Sequence, residues 1–225
     1  MTVTILAAHG RNEDPWHDTA GTSYRVARLL LELGLDVEVH ALAKEVLTSL
    51  DHTELLVVNC GGNHVDPEFD GDDASWAEAR QGLAAYLERG GPVLALHGAT
   101  TAFADNPAWR PFLGAEWDWS TSHHPPASLA TIEVRAEAHP IAAGLSDFQL
   151  FDERYMDLKF YRAVTPYLVH TEAGATYPLA WADTIGRSRV VFNALGHATV
   201  AYDSPVRARL VQREAQWCLG LEPTA

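Results

Sequence analysis

Apolar positions along the chain follow two rhythms. Short runs of β-type residues recur at "VTILAA" (3–8), "DVEVHAL" (36–42), "ELLVVNC" (54–60) and "PVLALH" (92–97). They are nearly continuous in hydrophobicity, which predicts strands covered on both faces. Further runs follow at "ATIEVRA" (130–136), "PYLVHTEA" (166–173) and "SRVVFNAL" (188–195). Between the early runs the period lengthens. Val26, Leu29, Leu30 and Leu33 fall at i, i+3, i+4 and i+7, predicting a helix capped by Thr22 or Ser23 and stopped by Gly34. Trp76, Ala79, Leu83 and Leu87 predict a second, with Ser75 as cap and Gly90 as stop. "SPVRARLVQREAQWCLG" predicts a terminal helix with Pro205 in its first turn. Strand and helix thus alternate, as in an α/β sheet of parallel strands. Neither repeat nor linker interrupts the pattern, so one domain is expected over 1–225.

Composition narrows the partners. With 47% hydrophobic residues the chain can bury a large core. Its 30 acidic against 16 basic residues give a formal charge of −14, which argues against nucleic acid and acidic membranes as partners. Two cysteines, Cys60 and Cys218, make neither a disulfide framework nor a CxxC metal site. No apolar run reaches the roughly 18 residues of a membrane span, and "MTVTILAAHG" lacks a basic leader. A cytoplasmic location and a small-molecule ligand are expected, with self-assembly into a homo-oligomer left open.

In an open parallel sheet, ligands sit beyond the carboxyl ends of the strands. Those ends carry His9-Gly10-Arg11-Asn12, Gly61-Gly62-Asn63-His64, His97-Gly98 and Gly196-His197. Four ends therefore deliver a glycine, which admits close approach to the backbone, beside a histidine. Asn12, Gly62, Asn63 and His64 are accordingly candidate ligand contacts. His97 occupies the apex of "PVLALHGATTAF", where hydrolases mount a nucleophile on a strand-to-helix elbow. A helix start there would lower the imidazole's pKa and keep it neutral, the form that binds metal or takes a proton. "FQLFDERYMDL" gathers Asp152, Glu153 and Tyr155; adjacent acids cannot share one face, so one is expected inside and the other on an arginine or a backbone amide. "WDWSTSHHPPASL" joins two tryptophans to His123 and His124, suited to a sugar ring or to a lid; His123 is the candidate contact. The acidic stretch 66–73 lacks calcium-loop spacing and is expected to be solvated.

The chain resembles the ThuA-like, or trehalose-utilisation, proteins of the class I glutamine amidotransferase-like superfamily. The resemblance rests on "NCGGNH", "GGPVLALHGATTAF", "HPIAAGLSDFQLFDERYMDL", "YPLAWADTIGRSRVVFNALGHATVAYDSP" and "AQWCLG". It implies a flavodoxin-like fold, a mainly parallel sheet with helices on both faces. It also implies a site over the elbow using His97, Glu153 and His197, with Trp181 nearby. The elbow lacks cysteine, so thioester chemistry is not available there, and Cys60 at the end of an apolar run is expected to be inert. A His/Glu/His set suits acid/base work or a divalent metal such as zinc with an open position. The functional expectation is a carbohydrate-related enzyme; the alternative is a binding or scaffold protein on a degenerate site.

Overall fold

The computed structural model describes residues 1–62 and 67–224. Asn63 and His64 lie outside the described residues. In chain order the elements are β1 (Thr2–Ala7), α1 (Thr19–Leu31), β2 (Asp36–Ala41), α2 (Lys44–Leu47), β3 (Leu55–Asn59), α3 (Pro67–Asp70), α4 (Ala77–Glu88), β4 (Val93–Leu96), α5 (Trp109–Leu113), β5 (Ala115–Glu116), β6 (Ser128–Val134), β7 (Phe148–Asp152), β8 (Lys159–Phe160), β9 (Pro166–Glu172), β10 (Ala175–Ile185), β11 (Ser188–Asn193) and α6 (Pro205–Cys218).

Nine strands form one sheet in the order β2-β1-β3-β4-β11-β10-β9-β6-β7. The pairings from β2 through β11 are parallel, and this 2-1-3-4-5 sequence of strands is the flavodoxin-like order. From β11 outward the pairings are antiparallel. Every residue of β3 and β4 is buried: α1 and α6, packed on each other, cover this half, and Ala79, Leu83 and Tyr86 of α4 join the same core. β2 departs from the expectation of a covered strand: it is mostly exposed, since it lies at the sheet edge and, among the described residues, pairs with β1 alone.

Local signals resolve differently from the sequence pattern in three places. Asp18, not Thr22 or Ser23, caps α1 by accepting from the Gly21 amide (2.8 Å). The two hydroxyls are buried and take hydrogen bonds from the Asn59 side chain (2.9 and 2.8 Å), tying α1 to the end of β3. A 3-10 turn at Ala74–Trp76 precedes α4, so Ser75 is not its cap. The acidic stretch is not wholly solvated either, for Asp70 is nearly enclosed against the buried Arg11, which also pairs with the exposed Asp73 and, from outside the stretch, with Asp105. β7 and β10 are strands that the apolar runs did not mark. β7 is legible as alternation, Phe148, Leu150 and Asp152 inward and Gln149 and Phe151 outward.

Candidate functional site

The segments that follow β1, β4, β7 and β11 open onto a cavity of about 350 Å³. Its walls include Trp16, Trp117, Trp119 and Tyr155 together with His17, Glu153 and His197; the buried His97 lies against these last three and completes a cluster of four. One ligating atom from each of these four lies within 4.8 Å of every other.

His97 sits at the elbow as expected from its position, with φ of +40°, a conformation costly for a non-glycine residue and found where function imposes it. It is 2% exposed, yet polar rings rather than aliphatic chains surround its inner edge: His17, Tyr155 and His197 lie at centroid distances of 4.8, 4.6 and 5.3 Å. Close approach of two backbones allows this, since a Cβ on Gly61 would fall 2.2 Å from the Gly98 carbonyl oxygen. His97 Nδ1 meets the Ala194 carbonyl at 2.6 Å. A carbonyl only accepts, so Nδ1 carries the proton and the Nε2 lone pair of the neutral ring faces the cluster. Burial, then the neighbouring His17, holds His97 well below the ordinary histidine range. The expected cause, a helix start, is not the reason; the elbow leads into a short 3-10 turn, His97–Thr100.

His17 arrives on the loop after β1. Its Nδ1 lies 2.7 and 2.8 Å from the two carboxylate oxygens of Asp14, which orients the ring so that Nε2 faces His97 Nε2 at 3.0 Å. Burial alone would raise Asp14, but His17 and the amides of Trp16 and His17 outweigh it and hold the carboxyl below its usual range. Two neutral imidazoles would thus point lone pairs at one another across 3.0 Å, and a shared proton or a cation between them relieves that repulsion. Among the described residues His197 Nδ1 is buried without a hydrogen-bond partner, and it lies 3.2 Å from Glu153 Oε2. The same Glu153 oxygen is 3.7 Å from His97 Nε2, and Oε1 is 3.6 Å from His124 Nδ1. Three imidazoles, two of them oriented by outer acceptors, and one carboxylate fit a divalent transition metal. Ligands on opposite sides of one ion lie about 4.2 Å apart, so closing the widest pair takes a shift of about 0.6 Å.

Of the other expected contacts, Tyr155 lines the cavity, and burial followed by Glu153 raises its hydroxyl well above the usual tyrosine value, keeping it a donor. Asp152 does not line it. The side chain is 2% exposed and accepts from the amides of Glu153, Gly196 and His197. Trp181 is also a correction: it is 1% exposed in the core, its indole donating to the Leu113 carbonyl (3.0 Å) and its ring packed on Phe192. Asn12 is a strut, its side-chain oxygen accepting from the Phe103 amide (2.7 Å) and its carbonyl from Gly61 (3.2 Å). Gly62 backs onto Glu13 and donates to Oγ1 of the cavity residue Thr101 (2.9 Å) but does not itself line the cavity. His123 bridges to Met156 through its backbone and turns its ring outward, so alternation sends His124 inward instead. His9 packs against Phe69, not in the cavity. The sequence reading missed His17 and Asp14. Their signal was a carboxylate and an imidazole three residues apart just beyond a parallel strand.

Fold and site together define a flavodoxin-like α/β protein with a histidine-rich cluster over the carboxyl edge of its sheet. The family model for ThuA, described as trehalose utilisation, matches residues 3–218, and the chain belongs to this family. Among solved structures it is similar to a ThuA-like protein from Parabacteroides merdae ATCC 43184 (16% identity, TM-score 0.79, covering 100% of this chain and 91% of that one). A ThuA-like protein from Bacteroides uniformis ATCC 8492 is similar at 14% identity and TM-score 0.71, over 96% and 90%. A β-galactosidase from Rahnella sp. R3 shares the fold over 96% of this chain and 31% of its own (11% identity, TM-score 0.61). No curated protein matches the chain. Among the described residues no helix is long and apolar enough to cross a membrane.

Proposed function

We propose that the protein is a divalent-cation-dependent enzyme of carbohydrate utilisation, acting on an uncharged sugar or keto-sugar derivative. The observation that carries this reading is the convergence of His17, His97, Glu153 and His197 on one point beneath an aromatic cavity. A bound divalent cation would supply Lewis-acid polarisation of a carbonyl or hydroxyl oxygen. Four protein donors would close a tetrahedral zinc, so among divalent metals this reading favours an ion that takes five or six ligands, of the manganese, iron, cobalt or nickel kind, and leaves room for substrate.

The chain's own residues account for the rest. Indole and phenol faces of Trp16, Trp117, Trp119 and Tyr155 offer apolar surfaces to the C–H faces of a sugar ring. No lysine or arginine lines the cavity, and none occurs at 63–66. Two carboxylates, Asp14 and Glu153, would balance a dication, leaving no counter-charge for a phosphorylated or acidic sugar. Glu153 Oε1 and His124 sit on the cavity side, in place to hold or pass a proton. The volume of about 350 Å³ lies within the roughly 300–1,000 Å³ of small-ligand pockets.

The test is metal-free protein titrated with Mn²⁺, Fe²⁺, Co²⁺, Ni²⁺ and Zn²⁺, then assayed on neutral disaccharides and their keto derivatives with and without chelator. Turnover that appears with one ion and disappears with chelator is the expected result. Turnover indifferent to metal would leave plain acid/base chemistry by Glu153 and the imidazoles, and neither binding nor turnover would favour the binding-protein alternative.

A further inference from the structure

Glu153 and His197 stand at the ends of strands that do not touch. In the sheet β10, β9 and β6 separate β7 from β11, so no ladder hydrogen bond sets the distance between the two side chains. The Asp152 carboxylate spans the gap. Asp152 Oδ1 accepts from the amide of Glu153 (2.9 Å) and from the amide of His197 (3.0 Å), and Oδ2 accepts from the amide of Gly196 (2.6 Å). A single buried carboxylate therefore holds the main chain of two cluster members at once.

The far side of that grip is anchored too. Arg207, fully buried on α6, donates to the Leu195 carbonyl (3.0 Å) and pairs with Glu214 (3.4 Å). Glu214 accepts from Asn193 (2.5 Å) and Tyr167 (2.8 Å), and Asn193 in turn accepts from the Leu195 amide (2.9 Å). Gly196 takes φ of +114°, and a Cβ there would lie 2.4 Å from the Tyr202 hydroxyl, so the turn that aims its amide at Asp152 tolerates no side chain. Backbone amides donate best to an ionised acceptor, and Asp152 is the acceptor this turn is shaped around.

We infer that Asp152 is a positioning residue that sets the spacing of Glu153 and His197 for one cation, an inference that rests on the cation reading above. It acts through those two residues and touches no ligand in the cavity. Loss of an outer partner of this kind costs about 10–100-fold in metal affinity.

The experiment uses the full chain and Mn²⁺ or Co²⁺ alone, with binding followed by calorimetry and folding of the metal-free protein by near-UV circular dichroism. Asp152→Asn keeps the shape and one oxygen, and is expected to bind about 10–100-fold more weakly while still folded. In the Asp152→Asn background, Glu153→Gln is expected to cost less affinity than it does in wild type, because the pair is coupled. A folded Asp152→Asn with wild-type affinity overturns this inference alone, whereas wild type that binds neither ion defeats the cation reading and this one with it. Should the variant fail to fold, amide exchange in metal-free wild type decides: slow exchange at Glu153, Gly196 and His197 supports the clamp, and exchange as fast as in an exposed loop overturns it.

Discussion

In the parallel half, β1, β3 and β4 are buried along nearly their whole length, and their loops bring His17 and His97 together simply because parallel strands end on the same side. The antiparallel extension works otherwise. β7 alternates buried and exposed residues, its last carboxylate accepts from backbone amides on both sides of the gap, and Glu153 follows it into the cluster beside His197. Topology brings cluster members of the parallel half to one edge, whereas on the extension a buried carboxylate ties the residue beside it to the far strand's turn.

The sharpest way to break this contrast is Glu153→Gln, the extension's own contribution to the cluster. Turnover is expected to fall by about 10²–10⁴ with a melting point close to wild type, because the shape is preserved. Unchanged turnover would mean that the parallel half suffices. Next in size is Trp181→Ala, which empties a fully enclosed site where the extension packs on β11; about 3–5 kcal/mol of unfolding free energy is expected to be lost. Denaturant titration reads this directly, and a loss below about 1 kcal/mol would contradict the core placement. Asp14→Asn probes the parallel half in turn. It removes the charge that orients His17 and is expected to weaken cation binding by about 10–100-fold. Equal affinities by calorimetry would show that the loop holds His17 unaided.

The pH dependence of stability sharpens the comparison further. His97, His197, His139 and His170 are held below the ordinary histidine value of 6.5, burial being the first cause in each. The unfolded chain therefore carries protons that the folded one refuses, and stability falls as pH falls through about 6.5. Asp152, pushed up from 3.8 to about 6 by burial, has the opposite sign and adds stability only below about pH 6. Between about pH 7.5 and 6.0 the histidines decide, so the urea midpoint is expected to drop over that interval, and to drop less in His97→Gln. A flat midpoint would contradict the burial of these rings. The smallest effect belongs to Phe151→Thr on the exposed side of β7, expected within about 0.5 kcal/mol of wild type; a larger loss in denaturant would show that this face is covered.

Much of the scaffold was legible in the sequence. Continuous apolar runs identified β1, β3 and β4 because a strand buried on both faces has no room for polar residues, and Gly34 and Gly90 marked helix ends by their left-handed freedom. The Gly–His pairs after those runs pointed to the carboxyl edge, and the elbow singled out His97. What composition along the chain could not decide was direction. Asp152 and Glu153 are neighbours of like charge, and only the Gly196 turn made one an anchor and the other a cavity group. His123 and His124 are alike in sequence, and a single bridge to Met156 turned one outward and the other in. Trp181 has the chemistry of a sugar platform, yet β10 carried it into the core. His17 lay ten residues beyond β1, where periodicity is silent, and became a cluster member because the sheet brings that loop against the elbow. Residue type and spacing determine which strands and helices form, through burial and local backbone preference. Which side chains meet is decided by contacts between segments far apart in sequence, and those exist only once the sheet has closed.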